Sequence, residues 1–197
     1  VGQGDSILIK EPLTGKVTLI DTGGQLKWEN EETWREKEIP FSIGKNLIAP
    51  SLKSLGISAV DRLYLTHADA DHSGEVRSLA ENFTIHEIAA TKSTLTAPAV
   101  YGQLSTLENT EIVVVEPPQF LQYPAKNTLA LHPNSDVEYE DNNNQSLVLY
   151  VTLGEDIWLF TGDIEREAEI QLINDYPNLR IDYLKVSHHG SKTSSTD

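Results

Sequence analysis

A six-residue segment from His67 to His72 concentrates imidazole and carboxylate side chains. It reads His-Ala-Asp-Ala-Asp-His, in a chain that has only six histidines. Imidazole nitrogen and carboxylate oxygen suit zinc, manganese or iron. Four such groups are more than one tetrahedral ion takes from a single loop, so the segment predicts a site for two divalent ions. The alternative is an acidic surface turn with two incidental histidines.

The residues on either side of the segment predict how it is positioned. Residues 60–66 place Leu63 and Leu65 on one face and Tyr64 on the other, which is the alternation of a β-strand. Residues 74–79 predict the start of a short helix. A loop between a strand and a helix is held at both ends, so it can direct several side chains at one centre.

Other polar residues also lie at the ends of predicted strands, and these favour the metal site over a surface turn. They are Asp21, residues 142–144, Asp163, His188 and His189. In a sandwich of two sheets, strand ends from both sheets converge on one rim. We therefore expect these residues to lie near the 67–72 segment.

The pattern of the whole chain predicts an α/β (α+β) fold, with two mostly antiparallel sheets packed face to face and helices outside. The predicted hairpins pair residues 7–10 with 16–20 and residues 146–152 with 156–161. Helices are predicted over 43–55, near 97–107 and over 164–175, and a final buried strand over 181–186. Residues 25–41 lack a clean period and predict an irregular insertion or lid.

Length and charge limit the possibilities. The 197 residues fit one domain, and the absence of cysteine excludes disulfides and thiolate ligands. The net charge of −15 argues against attraction of a polyanion by the overall field. If the substrate is a nucleic acid, bound metals together with Lys185 and Lys192 must attract it locally. Because no apolar stretch reaches about 18 residues, we expect no membrane insertion by this segment.

The motifs, taken in order, resemble the metallo-β-lactamase superfamily. That family has an αββα four-layer sandwich with an early Asp, a His-x-His-x-Asp-His loop, a later His, a bridging Asp and a final His. The resemblance covers essentially the whole chain. Narrower motifs resemble the C-terminal domain of the ComEC family, which are membrane channel proteins of bacterial DNA uptake. These motifs are residues 1–6, 19–24, 66–72, 146–149, 161–163 and 187–191.

The resemblance implies a role for each residue of the segment. His67 and Asp69 would bind the first metal ion, and Asp71 and His72 would bind the second. Asp163 would bridge the two ions. The implied cofactors are two divalent metal ions, manganese or zinc.

Residues outside the segment would complete the site. His189 would bind the second ion, and His188 would donate a proton or support the site from behind. Asp71 and His188 are the implied catalytic residues, while Asp21 would orient the ligands by hydrogen bonds. Several serines surround His189, but none has a paired general base, so water is the expected nucleophile.

Two departures from the family pattern affect the first ion. Asp69 stands where the family has its second His, and an Asn from residues 142–144 replaces the later His, with Asn143 as the selected residue. The first ion then has one His and mostly oxygen donors. Such a set favours manganese over zinc.

The resemblance implies a metal-dependent hydrolase, specifically a nuclease that degrades the non-imported DNA strand during competence-linked uptake (transformation). Its partners would be single-stranded DNA and the membrane channel portion of the same parent chain, at the extracellular face of the bacterial membrane. Residues 1–197 would then be a single domain, truncated at both ends, of a larger membrane protein. The alternatives are another metallo-hydrolase, of the phosphorylcholine esterase, lactonase or thioesterase type, and a non-catalytic docking module.

Overall fold

The computed structural model describes residues 4–25, 41–122, 128–134, 137 and 139–195. Most of the predicted insertion or lid at 25–41 lies outside the described residues. The same is true of the first three residues of the 1–6 motif.

The first of two sheets contains the strand that leads into the 67–72 segment. Its order is β1-β2-β3-β4-β5, and only β1 and β2 pair antiparallel. The other pairs are parallel because helical segments connect these strands, and a helical crossover returns the chain in the same direction. The strands are β1 (Ile7–Lys10), β2 (Val17–Ile20), β3 (Ala59–Tyr64), β4 (Thr84–Ala90) and β5 (Glu111–Val114).

The second sheet has the order β10-β9-β8-β7-β6. All its pairs are antiparallel except β9 with β10, which an intervening helix makes parallel. The prediction of mostly antiparallel sheets therefore holds for this sheet and is wrong for the first. Its strands are β6 (Gln119–Leu121), β7 (Thr128–His132), β8 (Val148–Leu153), β9 (Asp156–Phe160) and β10 (Tyr183–Lys185).

Helices form in all three predicted segments, and proline lies near the start of two of them. The segment predicted over 43–55 is a π-helical turn that continues into an α-helix with Pro50 in its first turn, and Pro98 begins the helix predicted near 97–107. Within the described residues, no helix combines the length and the apolar character that crossing a bilayer requires. The helices are α1 (Ala49–Ser54), which follows a π-helical turn at Gly44–Ile48, then α2 (Ala70–Ser73), α3 (Val76–Ala80), α4 (Lys92–Thr96), α5 (Pro98–Leu104) and α6 (Arg166–Asp175).

Three buried clusters separate four layers. Leu63 and Leu65 pack under the helices on the first sheet, while Tyr64 faces the core between the sheets. This confirms the predicted alternation along β3. On the far side, Leu159 of β9 packs against Ala168 and Leu172 of α6. The arrangement confirms two packed sheets with helices outside.

The last strand differs from the prediction of a buried strand over 181–186. Tyr183 is 47% exposed and Leu184 is 54% exposed. The reason is position, because β10 lies at the edge of the second sheet and pairs only with β9 among the described residues.

Candidate metal centre

The ends of strands from both sheets meet at one rim of the sandwich. Asp21 directly follows β2, and the 67–72 segment begins shortly after β3. Asp163 and His189 come from the second sheet, after β9 and β10. The predicted convergence is therefore present in the structure. The second half of the 67–72 segment, however, is helical. Asp71 and His72 lie in α2 and not in an open loop.

Two glycines let neighbouring segments lie directly against the backbone of α2. A Cβ atom on Gly4 would lie 1.9 Å from the carbonyl oxygen of Asp71, and one on Gly24 would lie 1.7 Å from that of Ala70. Any other residue at these positions would push the segments apart. The glycines therefore serve close backbone packing around the site.

Donor atoms from four side chains come together at the centre of this rim. His72 Nε2 lies 3.1 Å from Asp163 Oδ2 and 3.4 Å from His189 Nε2. His189 Nε2 is 3.2 Å from Asp163 Oδ2 and 3.5 Å from Asp71 Oδ2. All these residues are buried except His189, whose side chain is 31% exposed. Two imidazole nitrogens and two carboxylate oxygens that face each other fit a divalent cation.

His67 provides a second indication of a metal-binding position. Its side chain is buried, and its Nδ1 lies 3.0 Å from Thr66 Oγ1. Its Nε2 is buried and has no hydrogen-bond partner among the described residues. Leaving such an atom unpaired costs about 1 to 3 kcal/mol, so it fits a position where an ion binds. Asp69 Oδ2 is 3.9 Å away, on a side chain that is 40% exposed.

Asp21 supports His72 and the neighbouring Thr66 by hydrogen bonds. Its Oδ2 lies 2.7 Å from His72 Nδ1, and its two oxygens accept hydrogen bonds from the backbone N–H and the hydroxyl of Thr66. Thr22 adds hydrogen bonds to the carbonyl oxygen of His72. A carboxylate behind an imidazole fixes the orientation of the ring and leaves Nε2 free to bind a metal.

The charges around the two buried imidazoles have opposite consequences. Burial alone would lower the pKa of His72, but Asp21 and Asp163 outweigh burial and raise it to about 10. Burial and the neighbouring His72 lower the pKa of His67. Burial would raise the pKa of Asp163, but His72 and Lys185 keep it well below its usual range. Without a metal, His72 therefore carries a proton and His67 is neutral.

Lys185 directs its ammonium group into the site. Its Nζ lies 2.5 Å from Asp5 Oδ2, 2.7 Å from the carbonyl oxygen of Gly162 and 3.2 Å from Asp163 Oδ1. The predicted role of this lysine in local attraction of nucleic acid stays a prediction, and two carboxylates inside the domain already pair with its charge. Lys192, by contrast, is exposed.

His188 and His189 both adopt left-handed backbone conformations, with φ values of 45° and 52°. Two successive residues of this kind are uncommon outside glycine and mark functional sites. The turn separates the two rings, so only His189 reaches the central cluster. His188 Nδ1 lies 3.1 Å from Glu165 Oε1 and 3.2 Å from Thr193 Oγ1.

The three consecutive asparagines have different contacts. Asn142 Nδ2 lies 3.3 Å from Asp69 Oδ1, whereas Asn143 Nδ2 lies 3.2 Å from Glu165 Oε1. Asn144 accepts hydrogen bonds from the first backbone N–H groups around α6. Asn142 is thus the asparagine that contacts Asp69, whereas the selected Asn143 contacts Glu165. The tight turn at 143–145 rotates neighbouring side chains in different directions, which sequence position alone does not reveal.

Sequence reasoning missed two acidic residues near the site. Asp5 contributes to a group with His72, Asp163 and His189 in which one ligand atom from each lies within 4.8 Å of the others. Glu165 contacts His188. A signal for Asp5 was present, because it follows Gly4 in a recognised motif just before β1, and the start of this antiparallel strand lies beside the end of β2. Glu165 had no comparable signal.

Comparison with known proteins identifies the fold family. The model of the Metallo-beta-lactamase superfamily matches residues 1–197. The chain belongs to this superfamily. A solved structure entitled "CmlA beta-hydroxylase E377D mutant" aligns with a TM-score of 0.59 at 17% identity, covering 92% of this chain and 33% of that chain, and shows the fold alone.

Relatives within the superfamily include competence proteins. The chain is 38% identical over 197 residues to ComE operon protein 3 of Bacillus subtilis (strain 168), covering 99% of this chain and 25% of the relative. It is 28% identical to Competence protein ComA of Neisseria gonorrhoeae, covering 99% of this chain and 23% of the relative. The chain thus spans about a quarter of their length. The predicted resemblance is confirmed, and superfamily membership supports the class of metallo-hydrolase.

Proposed function

We propose that this domain is a metal-dependent phosphodiesterase that cleaves DNA during competence-linked uptake. The central observation is the cluster of Asp71, His72, Asp163 and His189 at the rim of a metallo-β-lactamase fold. Similarity to competence proteins along nearly the whole chain supports the biological context. The proposal extends to cleavage of the non-imported strand, next to the membrane channel portion of the parent chain and at the extracellular face.

The residues present fit two divalent ions of unequal environment. Asp71, His72, Asp163 and His189 would hold one ion, and His67 with Asp69 would hold the other. Manganese suits the oxygen-rich position of His67 and Asp69 better than zinc does. When bound, such ions supply Lewis-acid activation of water and neutralise charge on the phosphate.

His188 would act on the leaving group. Glu165 and Thr193 lie beside its Nδ1, and its Nε2 has no hydrogen-bond partner among the described residues. A carboxylate at Nδ1 orients the ring, so Nε2–H could donate a proton to the leaving oxygen. The side chain is 28% exposed, which leaves it accessible to a substrate.

The acidic surface restricts how DNA would approach. With a net charge of −15, the domain does not attract a polyanion over long distances. Because Lys185 is engaged inside the domain, the local attraction falls to bound metal ions and to exposed cations such as Lys192. We therefore expect single-stranded DNA to be engaged mainly at the metal centre itself.

A cleavage assay on the purified chain tests the proposal. Labelled single-stranded DNA is incubated with manganese and the wild-type chain, the His72→Ala variant or the His86→Ala variant. His86 is exposed on β4, away from the site, and provides the matched control. Cleavage by wild type and His86→Ala, with none by His72→Ala, is expected. Intact DNA in all samples, or equal cleavage by His72→Ala, would overturn the proposal, and cleavage of small phosphodiesters alone would favour a different hydrolase.

A further inference from the structure

An ion pair between Asp5 and Lys185 contacts two candidate metal ligands, Asp163 and His189. Asp5 lies just before β1, and Lys185 is the last residue of β10. Asp5 thus belongs to the first sheet and Lys185 to the second. The 2.5 Å contact between Lys185 Nζ and Asp5 Oδ2 therefore joins the two sheets at the rim.

Lys185 is held by three oxygen atoms around its ammonium group. Nζ donates hydrogen bonds to Asp163 Oδ1 and to the carbonyl oxygen of Gly162, and it forms an ion pair with Asp5 Oδ2. The side chain is only 16% exposed. A charge buried to this degree requires paired, hydrogen-bonded surroundings, which these acceptors supply. Lys185 is therefore a fixed part of the site.

The position of Lys185 fixes the orientation of the Asp163 carboxylate relative to the other ligands. Oδ1 accepts from Lys185 at 3.2 Å, whereas Oδ2 lies 3.1 Å from His72 Nε2 and 3.2 Å from His189 Nε2. Rotation of the carboxylate would break the contact with Lys185. One oxygen of Asp163 is thus held by the protein, and the other is presented to the centre.

Asp5 approaches the ring of His189 in the way that Asp21 approaches His72. Asp5 Oδ1 lies 3.6 Å from His189 Nδ1, and Asp21 Oδ2 lies 2.7 Å from His72 Nδ1. In both cases Nε2 faces the central cluster. His189 has the more exposed ring and the longer contact, so the orientation of its ring is less firmly fixed than that of His72.

We propose that Asp5 and Lys185 form a positioning pair of the metal centre. The pair holds Asp163 so that Oδ2 faces the ion, and it holds His189 so that Nε2 faces the same ion. The inference rests on the metal centre of the proposed function but does not depend on the substrate. It predicts that the pair raises metal affinity without binding the metal or the DNA itself.

A charge-neutral double variant separates positioning from electrostatics. Asp5→Asn with Lys185→Met removes one negative and one positive charge, so the net charge of the site is unchanged. Replacing a buried ion pair with neutral side chains is often tolerated in stability. The matched control is Lys45→Met with Glu81→Gln, which removes a surface pair with a 2.7 Å contact on exposed side chains.

The measurement is a manganese titration followed by electron paramagnetic resonance of the free ion, with thermal unfolding of the metal-free protein in parallel. We expect about tenfold to 100-fold weaker manganese binding in the double variant, as for other residues that orient metal ligands. The unfolding midpoint should stay near that of wild type. The control pair should leave both quantities unchanged.

Wild-type manganese affinity in the Asp5→Asn/Lys185→Met variant would overturn the inference. If that variant does not fold, Asp5→Asn alone is the deciding variant, because it keeps Lys185 and weakens only one end of the pair. Manganese affinity equal to wild type in Asp5→Asn would then overturn it. Since no DNA is present, a chain that binds manganese but leaves DNA intact contradicts the proposed nuclease and leaves this inference standing.

Discussion

The two predicted ion positions differ in how the protein supports them. Around His72 and Asp163, every ligand is buried or backed by another charged residue, including Asp21 and Lys185. Around His67, the predicted partner Asp69 is 40% exposed, and its carboxylate accepts a 3.3 Å hydrogen bond from the amide of Asn142. A rigid, supported position binds an ion with little rearrangement, whereas an exposed carboxylate must first be ordered. We therefore call the position around His72 and Asp163 the supported position, and the position around His67 the open position.

The largest expected difference concerns removal of one ligand from each position. His72→Ala should weaken manganese binding by more than about 100-fold, because even residues that merely orient ligands contribute 10-fold to 100-fold. His67→Ala should abolish only the weaker of two binding events. Calorimetric titration of both variants measures this directly. Equal loss in the two variants would contradict the distinction between the positions.

A second comparison removes the group behind each position. Asp21→Asn should weaken manganese binding by about 10-fold to 100-fold, since it loosens the ring of His72. Asn142→Ala removes the only described contact of the Asp69 carboxylate with an asparagine, and it should change the tighter binding event by less than about threefold. The same titration applies. A stronger effect of Asn142→Ala would mean that the open position controls the affinity of the site.

The pH dependence of binding sharpens the comparison further. The pKa of His72 is raised to about 10, so manganese must displace a proton from this ring at neutral pH. Affinity at the supported position should therefore rise with pH, by up to about tenfold per unit below pH 10. His67, whose pKa is lowered, requires no such release above neutrality. Titrations at pH 6.5, 7.5 and 8.5 test this, and a flat profile for the tighter ion would contradict it.

The smallest expected effect reverses the departure from the family pattern. Asp69→His restores an imidazole at the open position, and a nitrogen donor there favours zinc. We expect zinc to bind about tenfold more tightly at the open position, with little change at the supported position. Asp69→Asn provides the control that removes the charge without adding a ring. Unchanged zinc stoichiometry and affinity in Asp69→His would show that exposure, not donor type, limits the open position.

Much of the fold could be predicted because local patterns carry it. The alternation of Leu63, Tyr64 and Leu65 assigns each residue to the correct buried cluster. Strand direction was less accessible, since parallel and antiparallel pairing in the first sheet depends on connections that the apolar pattern does not record. The exposure of Tyr183 and Leu184 was also hidden. A hydrophobic edge strand and a hydrophobic central strand have the same composition.

The site could be predicted where its residues form a continuous motif. The segment from His67 to His72 predicts metal binding because four of its six residues carry donor side chains. Asp5 and Glu165 could not be assigned in the same way, because single acids near a strand or helix end have many possible roles. The low exposure of Lys185 could not be predicted either, since a charged residue is exposed far more often than buried.

The sequence by itself determined the superfamily, the segment that carries most of the donors and the sandwich that brings strand ends together. These follow from the spacing of residues along the chain, which can be read directly from the sequence. Only the tertiary structure decided that Asp163 turns one oxygen to Lys185 and the other to the centre, and that Asn142 is the asparagine beside Asp69. Such choices depend on side-chain direction across two packed sheets, where distances of an ångström separate a ligand from its support.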